Sequence, residues 1–251
     1  MARKKNNELP IDFSNITKTS TRRRKAIGKE FLQEIEPITE TQKDFYKAYD
    51  DDKHLVAHGV PGSGKTFSSL YKALQEVFDE TSNKETVYIV RSLVQTRSIG
   101  FMPGTENEKQ GYFETPYRNM VEHMFDFPNQ ADYDMLYDNL KSQKTIKFYN
   151  TSFLRGLTFD DCVIIVDEFS NMNFHELSSI ITRVGENCRI IFSGDAEQSD
   201  LINTNEKNGI HDFMRILQIM PSFEIFEFGV DDIVRSGLVK EFILAKRELG
   251  L

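Results

Sequence analysis

A mostly parallel α/β sheet with helices on both faces is the fold that this sequence predicts, and three observations carry the prediction. Short apolar runs alternate with helix-periodic stretches from about residue 39 to residue 248, the order that right-handed β–α–β units require. One run, His54-Leu55-Val56-Ala57-His58, feeds a glycine-rich loop that opens a helix. Another, Val163-Ile164-Ile165-Val166, is wholly apolar and β-branched, as a strand buried on both faces must be, and it ends in Asp167-Glu168.

Residues 1–36 carry Asn, Ser, Thr and charge with little periodicity, which predicts a basic, partly disordered arm ahead of one domain over 37–251. From Met1 to Lys29, nine Lys or Arg stand against Glu8 and Asp12, a net +7; the whole chain carries −8, so the remainder carries −15. An acidic body disfavours broad non-specific duplex binding but leaves room for a narrow single-strand groove. Thr39 is placed as a helix N-cap, with Gln42 completing a capping box before Phe45, Tyr46 and Tyr49. The strand His54 to His58 follows, then a helix from Lys65 to about Asp79 and a strand Val87 to Val90. Residues 96–144 form an insertion, irregular over 96–116 and helical over Pro116 to Phe125 and Ala131 to Leu140. Further strands are expected at Thr145 to Tyr149, Cys162 to Val166, Arg189 to Ser193 and Phe223 to Phe228. Helices are expected at Phe174 to Val184, Gly209 to Met220 and about Gly237 to Glu248.

The chain's 251 residues, 39% of them hydrophobic, suffice for one core. No apolar run approaches the roughly 20 residues of a bilayer span. No apolar region follows the charged start Met1-Ala2-Arg3-Lys4-Lys5, so a cytoplasmic location is expected. Cys162 and Cys188 each adjoin an apolar run and are expected to be small buried thiols rather than a disulfide or a metal site.

The loop Gly59-Val60-Pro61-Gly62-Ser63-Gly64-Lys65-Thr66 fits the pattern G-x-x-x-x-G-K-[ST]. Its glycines let successive backbone N–H groups face one anion, and the helix start adds its dipole. In that pattern Lys65 reaches the β- and γ-phosphates of ATP and the Thr66 hydroxyl ligates Mg²⁺. The fold class is therefore a P-loop NTPase, RecA-like. Asp167 is the candidate for the Mg²⁺ shell, and Glu168 for orienting or deprotonating the attacking water. A third strand ends in Gly194-Asp195-Ala196-Glu197-Gln198, and Gln198 is the candidate sensor of the γ-phosphate.

The order of these pieces resembles the PhoH family, ATPases whose core is similar to the first motor domain of superfamily-one helicases. The resemblance covers about residues 36–247. It rests on Thr39-Glu40-Thr41-Gln42, the glycine loop, Ile99-Gly100-Phe101-Met102-Pro103-Gly104 and Phe153-Leu154-Arg155-Gly156-Leu157-Thr158. Val166-Asp167-Glu168, Thr182-Arg183-Val184-Gly185, Gly194 to Leu201 and Asp232-Ile233-Val234-Arg235-Ser236 complete it. One departure is plain: the family's usual Asp-Glu-Ala-Gln strand tip reads Asp167-Glu168-Phe169-Ser170 here. No appended nuclease domain is expected, so the chain looks most like stand-alone bacterial or phage members.

By that resemblance Gln42 reads the adenine edge, with a plain capping role as its alternative. Arg91 and Arg155 line a polynucleotide or phosphate path, or form surface ion pairs. Arg235 and Arg183 compete as the arginine finger, which a neighbouring subunit supplies; that implies a homo-oligomeric ring, for example a hexamer. Between Arg97 and Arg118, Phe101, Tyr112, Phe113 and Tyr117 interleave with cations, which suits stacking and phosphate contact with single-stranded RNA or DNA, or simply packing of the insertion on the core. The leading expectation is a nucleic-acid-stimulated ATPase similar to an RNA helicase or translocase. The rival is an ATP-switched oligomeric binding or regulatory protein with slow turnover. A small-molecule kinase is disfavoured by the paired acids and the Gly-Asp-x-x-Gln segment.

Overall fold

Residues 29–92, 106–127, 129–154, 156–195 and 204–249 are described in this computed structural model, with side chains beginning at residue 113 in one helix and 209 in another. The order is α1 (Glu40–Asp50), β1 (His54–Gly59), α2 (Lys65–Phe78), β2 (Thr86–Arg91), α3 (Glu106–Met124), α4 (Gln130–Ser142), β3 (Ile146–Asn150) and β4 (Cys162–Asp167). Then come α5 (Phe174–Ile181), β5 (Cys188–Gly194), α6 (Thr204–Ile219), β6 (Phe223–Phe228) and α7 (Gly237–Glu248). The six strands pair in the order β3-β2-β4-β5-β1-β6, every pair parallel.

The period of two along each strand sorts its side chains to two faces. Leu55, Ala57, Ile89, Val163, Ile165 and Ile191 join one core with α1, α2, α3 and α4, while Val56, Val90, Ile164, Val166, Ile190 and Phe192 join a second with α5 and α6. All six residues of β4 are buried, as a central parallel strand demands. Register then aligns the carboxyl ends: Asp167 lies opposite Ser193, His58 opposite Gly194 and Gly59 opposite Phe228. Ligand chemistry in such sheets gathers at this edge.

The six expected strands are present, and β6 has the expected bounds. The expectation of an irregular stretch over 96–116 needs correction, because α3 begins at Glu106 and carries Pro116 inside it. Proline removes only one amide donor and is commonest near helix starts, so it signals a beginning that is not there. Residues 93–105 lie outside the described residues. α3 and α4 are part of the first core, through Tyr117, Val121, Met124, Tyr133, Leu136, Tyr137 and Leu140.

Of the arm, residues 1–28 lie outside the described residues. Residues 29–36 run along the core: Leu32 bridges Phe125, the Gln33 N–H donates to the Met124 carbonyl at 2.8 Å, and the Tyr71 hydroxyl donates to the Gln33 carbonyl at 3.0 Å. Both cysteines are free, Cys162 buried and Cys188 half-buried, with their sulfurs 3.3 Å apart. Among the described residues no helix is long and apolar enough to cross a membrane.

Leu74 on α2 is fully enclosed in the first core. Leu74→Ala should lower the unfolding free energy by about 2–5 kcal/mol, read from urea denaturation with an unchanged slope. A loss below about 1 kcal/mol would mean that α2 does not seal the sheet as described.

Candidate active site

The loop between β1 and α2 has a shape that its glycines make available. At Gly59 φ is +120° and a Cβ would fall 2.2 Å from the Phe228 carbonyl oxygen, so β6 leaves room for hydrogen alone. The Val60 N–H donates to that same oxygen at 3.0 Å. At Gly62 φ is +79°, and the stem of Arg235 lies 2.9 Å from where a Cβ would stand. Inside the loop, Lys65 Nζ donates to the Gly59 and Val60 carbonyls at 2.7 Å each and approaches Ser63 Oγ at 3.3 Å. All three ammonium donors are thus directed inward. Burial pushes Lys65 down to about 8, against the pull of the Asp195 and Asp167 carboxylates.

Thr66, the next residue, turns across β5 to the tip of β4. Its Oγ1 donates to Asp167 Oδ1 at 2.8 Å and lies 3.1 Å from Ser193 Oγ. Asp167 Oδ2 accepts from the Tyr117 hydroxyl at 2.6 Å. Burial raises the Asp167 carboxyl above the usual carboxylate range; the bonds from Tyr117 and Thr66 oppose that rise. Glu168 takes a left-handed backbone, φ +52°, of the kind that concentrates at functional sites. Its carboxylate accepts from Arg91 Nε at 3.1 Å and pairs with Arg91 Nη2 through its other oxygen. Phe169, where the resemblance leads one to expect a small residue, is fully buried and meets the Phe192 ring edge-on at 6.0 Å.

These residues fit a magnesium triphosphate. A left-handed glycine loop at a helix start, a lysine and a hydroxyl suit phosphate oxygens. Magnesium takes one or two protein oxygens and completes its octahedron with phosphates and water, so Thr66 and Asp167 would hold it. Among the described residues no group of three or more His, Cys, Asp or Glu side chains could hold a metal.

The other sequence-predicted residues fall as follows. Gln42 is buried and holds two main-chain groups, its Oε1 accepting from the Ile38 N–H at 2.8 Å and its Nε2 donating to the Ser63 carbonyl at 3.1 Å. Thr39 caps α1 as expected, but the returning half of the capping box goes to Ile38 instead of the Thr39 amide. Arg235 stands over the loop of its own chain, next to Val234, whose N–H donates to the Gly62 carbonyl at 3.1 Å. The guanidinium of Arg183 is turned onto the carbonyls of Leu154, at 2.5 Å, and Ser179, at 2.6 Å. Arg91 is in the Glu168 pair. Gln198, Arg155 and Phe101 lie outside the described residues, as does the side chain of Tyr112. Sequence reasoning missed the placements of Tyr117 and Ser193, and a clasp in which Thr41 Oγ1 donates to Asp232 Oδ2 at 3.0 Å, tying the 230–232 turn to α1. The Asp232 to Ser236 segment stood out only as part of the family resemblance, and nothing in the sequence pairs Tyr117 with Asp167.

Residues 34–246 match the family model described as PhoH-like protein. The chain belongs to the PhoH-like family. Curated relatives of this PhoH-like chain include a PhoH-like protein of Mycobacterium leprae (strain TN), 27% identical over 215 residues, covering 85% of this chain and 59% of the relative. Protein PhoH of Escherichia coli (strain K12) is 28% identical over 208 residues, 82% and 56% of the two chains. The PhoH-like chain thus spans a little over half the length of these relatives. Among solved structures it is similar to the large terminase from a thermophilic bacteriophage in complex with ADP, at TM-score 0.47 and 15% identity over 82% of this chain and 49% of that one. A Bacteroides sp Pif1 in complex with ADP-AlF4 gives TM-score 0.39 and 15% identity over 85% and 46%. The family and the sheet together make this an α/β P-loop NTPase fold.

Because Gln42 ties α1 to the loop through its buried bond to the Ser63 carbonyl and holds the Ile38 amide through a half-buried one, Gln42→Ala leaves both groups without those partners. Stability should fall by about 1–3 kcal/mol, measured by thermal unfolding without nucleotide. An unchanged melting temperature would show that the amide is not tied down in this way.

Proposed function

We propose that this PhoH-like chain hydrolyses ATP with Mg²⁺ and couples the reaction to single-stranded RNA or DNA, as a helicase- or translocase-like motor working in a homo-oligomeric ring. The observation that carries the ATPase reading is the Thr66–Asp167 contact beside Lys65: a phosphate loop and a buried carboxylate from different strands meet within a hydrogen bond. When bound, Mg²⁺ would neutralise charge on the phosphate oxygens. Lys65 exchanges its bonds to the loop carbonyls for the phosphates, and the loop amides, glycine-shaped, orient them. Glu168 releases Arg91 and turns to the attacking water, which it orients or deprotonates. Arg91, freed, is a cation beside the developing charge.

Arg235 supports a finger acting within the chain that carries it, since its stem already lies on Gly62 of the same loop. The family resemblance implies the other arrangement, in which a neighbouring subunit of the ring supplies the finger. The engagement of Arg183 with two carbonyls makes it the weaker finger. Nucleic-acid coupling is supported by the aromatic and cationic residues between Arg97 and Arg118 and by the likeness of the family core to helicase motors.

A second reading, the ATP-switched binding protein with slow turnover, uses the same site and differs from the motor in its response to nucleic acid.

Lys65→Ala should lose nucleotide binding and turnover together. Glu168→Gln should keep Mg·ATP binding, by equilibrium titration, while phosphate release falls by about 10²–10⁴-fold; unchanged release would remove Glu168 from its role. Steady-state phosphate release should rise when single-stranded RNA or DNA is added. Slow release that neither strand alters would favour the switch over the motor.

A further inference from the structure

Tyr117 is where α3 meets the candidate metal corner. Its side chain is 2% exposed and its ring packs tilted on Phe148 of β3, with centroids 5.4 Å apart. Its hydroxyl donates to Asp167 Oδ2 at 2.6 Å while Thr66 holds Oδ1 at 2.8 Å. The last torsion of an aspartate is broad and roughly two-fold, so a carboxylate gripped at one oxygen still turns. Gripped at both, by groups from different helices, it does not. A phenylalanine would satisfy the packing against Phe148 equally well; what it lacks is a donor for a carboxylate oxygen enclosed by protein. Partners of this outer kind orient the groups that ligate a metal, and their loss commonly costs 10–100-fold in metal affinity.

We propose that Tyr117 is a positioning residue for Asp167: by holding Oδ2 it keeps Oδ1 turned to Thr66, the orientation in which Asp167 would hold Mg²⁺. The proposal rests on the ATPase reading above. It moves Tyr117 out of the aromatic set assigned to strand binding and makes α3 a wall of the nucleotide site. Asp167 would hold the metal, and Tyr117 acts through Asp167.

Equilibrium binding of a fluorescent ATP analogue, titrated with and without Mg²⁺, tests this alongside thermal unfolding of the nucleotide-free protein. In Tyr117→Phe, binding without Mg²⁺ should equal that of the natural protein, and the tightening that Mg²⁺ brings should shrink by about tenfold. In an Asp167→Asn background, Tyr117→Phe should shrink it no further. An undiminished Mg²⁺ effect in folded Tyr117→Phe overturns the proposal. An equal loss with and without Mg²⁺ also overturns it, since that marks a packing role. Should Tyr117→Phe fail to fold, Phe148→Leu loosens the ring while leaving the hydroxyl; it should reduce the Mg²⁺ effect selectively, and no reduction overturns the inference. A natural protein that binds no analogue under any condition fails the ATPase reading itself, and this proposal with it. A natural protein that responds normally to Mg²⁺, beside a variant that does too, fails Tyr117 alone.

Discussion

The hydrogen bond from Thr66 to Asp167 is the constraint on which the site depends. It joins two strands that are not neighbours, because β5 lies between β1 and β4. Only a parallel register that brings the carboxyl ends level can place a helix start and a strand tip within 2.8 Å across an intervening strand. The cost is a carboxylate enclosed by protein, whose charged form burial disfavours. Two hydroxyls, from α2 and α3, offset that cost, and each comes from a helix that the first core holds against the same face of the sheet.

Around that bond the polar groups satisfy one another. The ammonium of Lys65 is occupied by its own loop, and Glu168 by Arg91. Phosphate binding is then an exchange of partners in place of a first encounter, and its net strength is a difference between two well-bonded states. The Arg91–Glu168 pair also joins the tips of β2 and β4, which are adjacent in the sheet. A movement between these strands would therefore be felt at Glu168.

Much of this architecture was legible in the sequence. Apolar runs revealed the strands because a parallel sheet covered on both faces demands them, and the β4 run could hardly have been anything else. The loop and the acidic tip carried their chemistry openly, and the PhoH-like family followed from their order. What stayed hidden depends on strand order. Arg91 and Glu168 are 77 residues apart, and Tyr117 and Asp167 are 50 apart; neither separation says that β2 lies beside β4 or that α3 leans over its tip. The early start of α3 was hidden differently, since Pro116 is a helix-starting residue set within a longer helix. Gln42 shows a third kind of limit. A capping residue and a loop tether have the same appearance in one dimension, and this amide is both in part.

The close approach at Gly59 has an evolutionary consequence. The atom that forbids a side chain there is the main-chain oxygen of Phe228, which every amino acid at position 228 would present in the same place. Variation at 228 therefore cannot compensate a change at 59. Across diverging relatives the glycine would stay fixed with no co-varying partner, although the two positions are in direct contact.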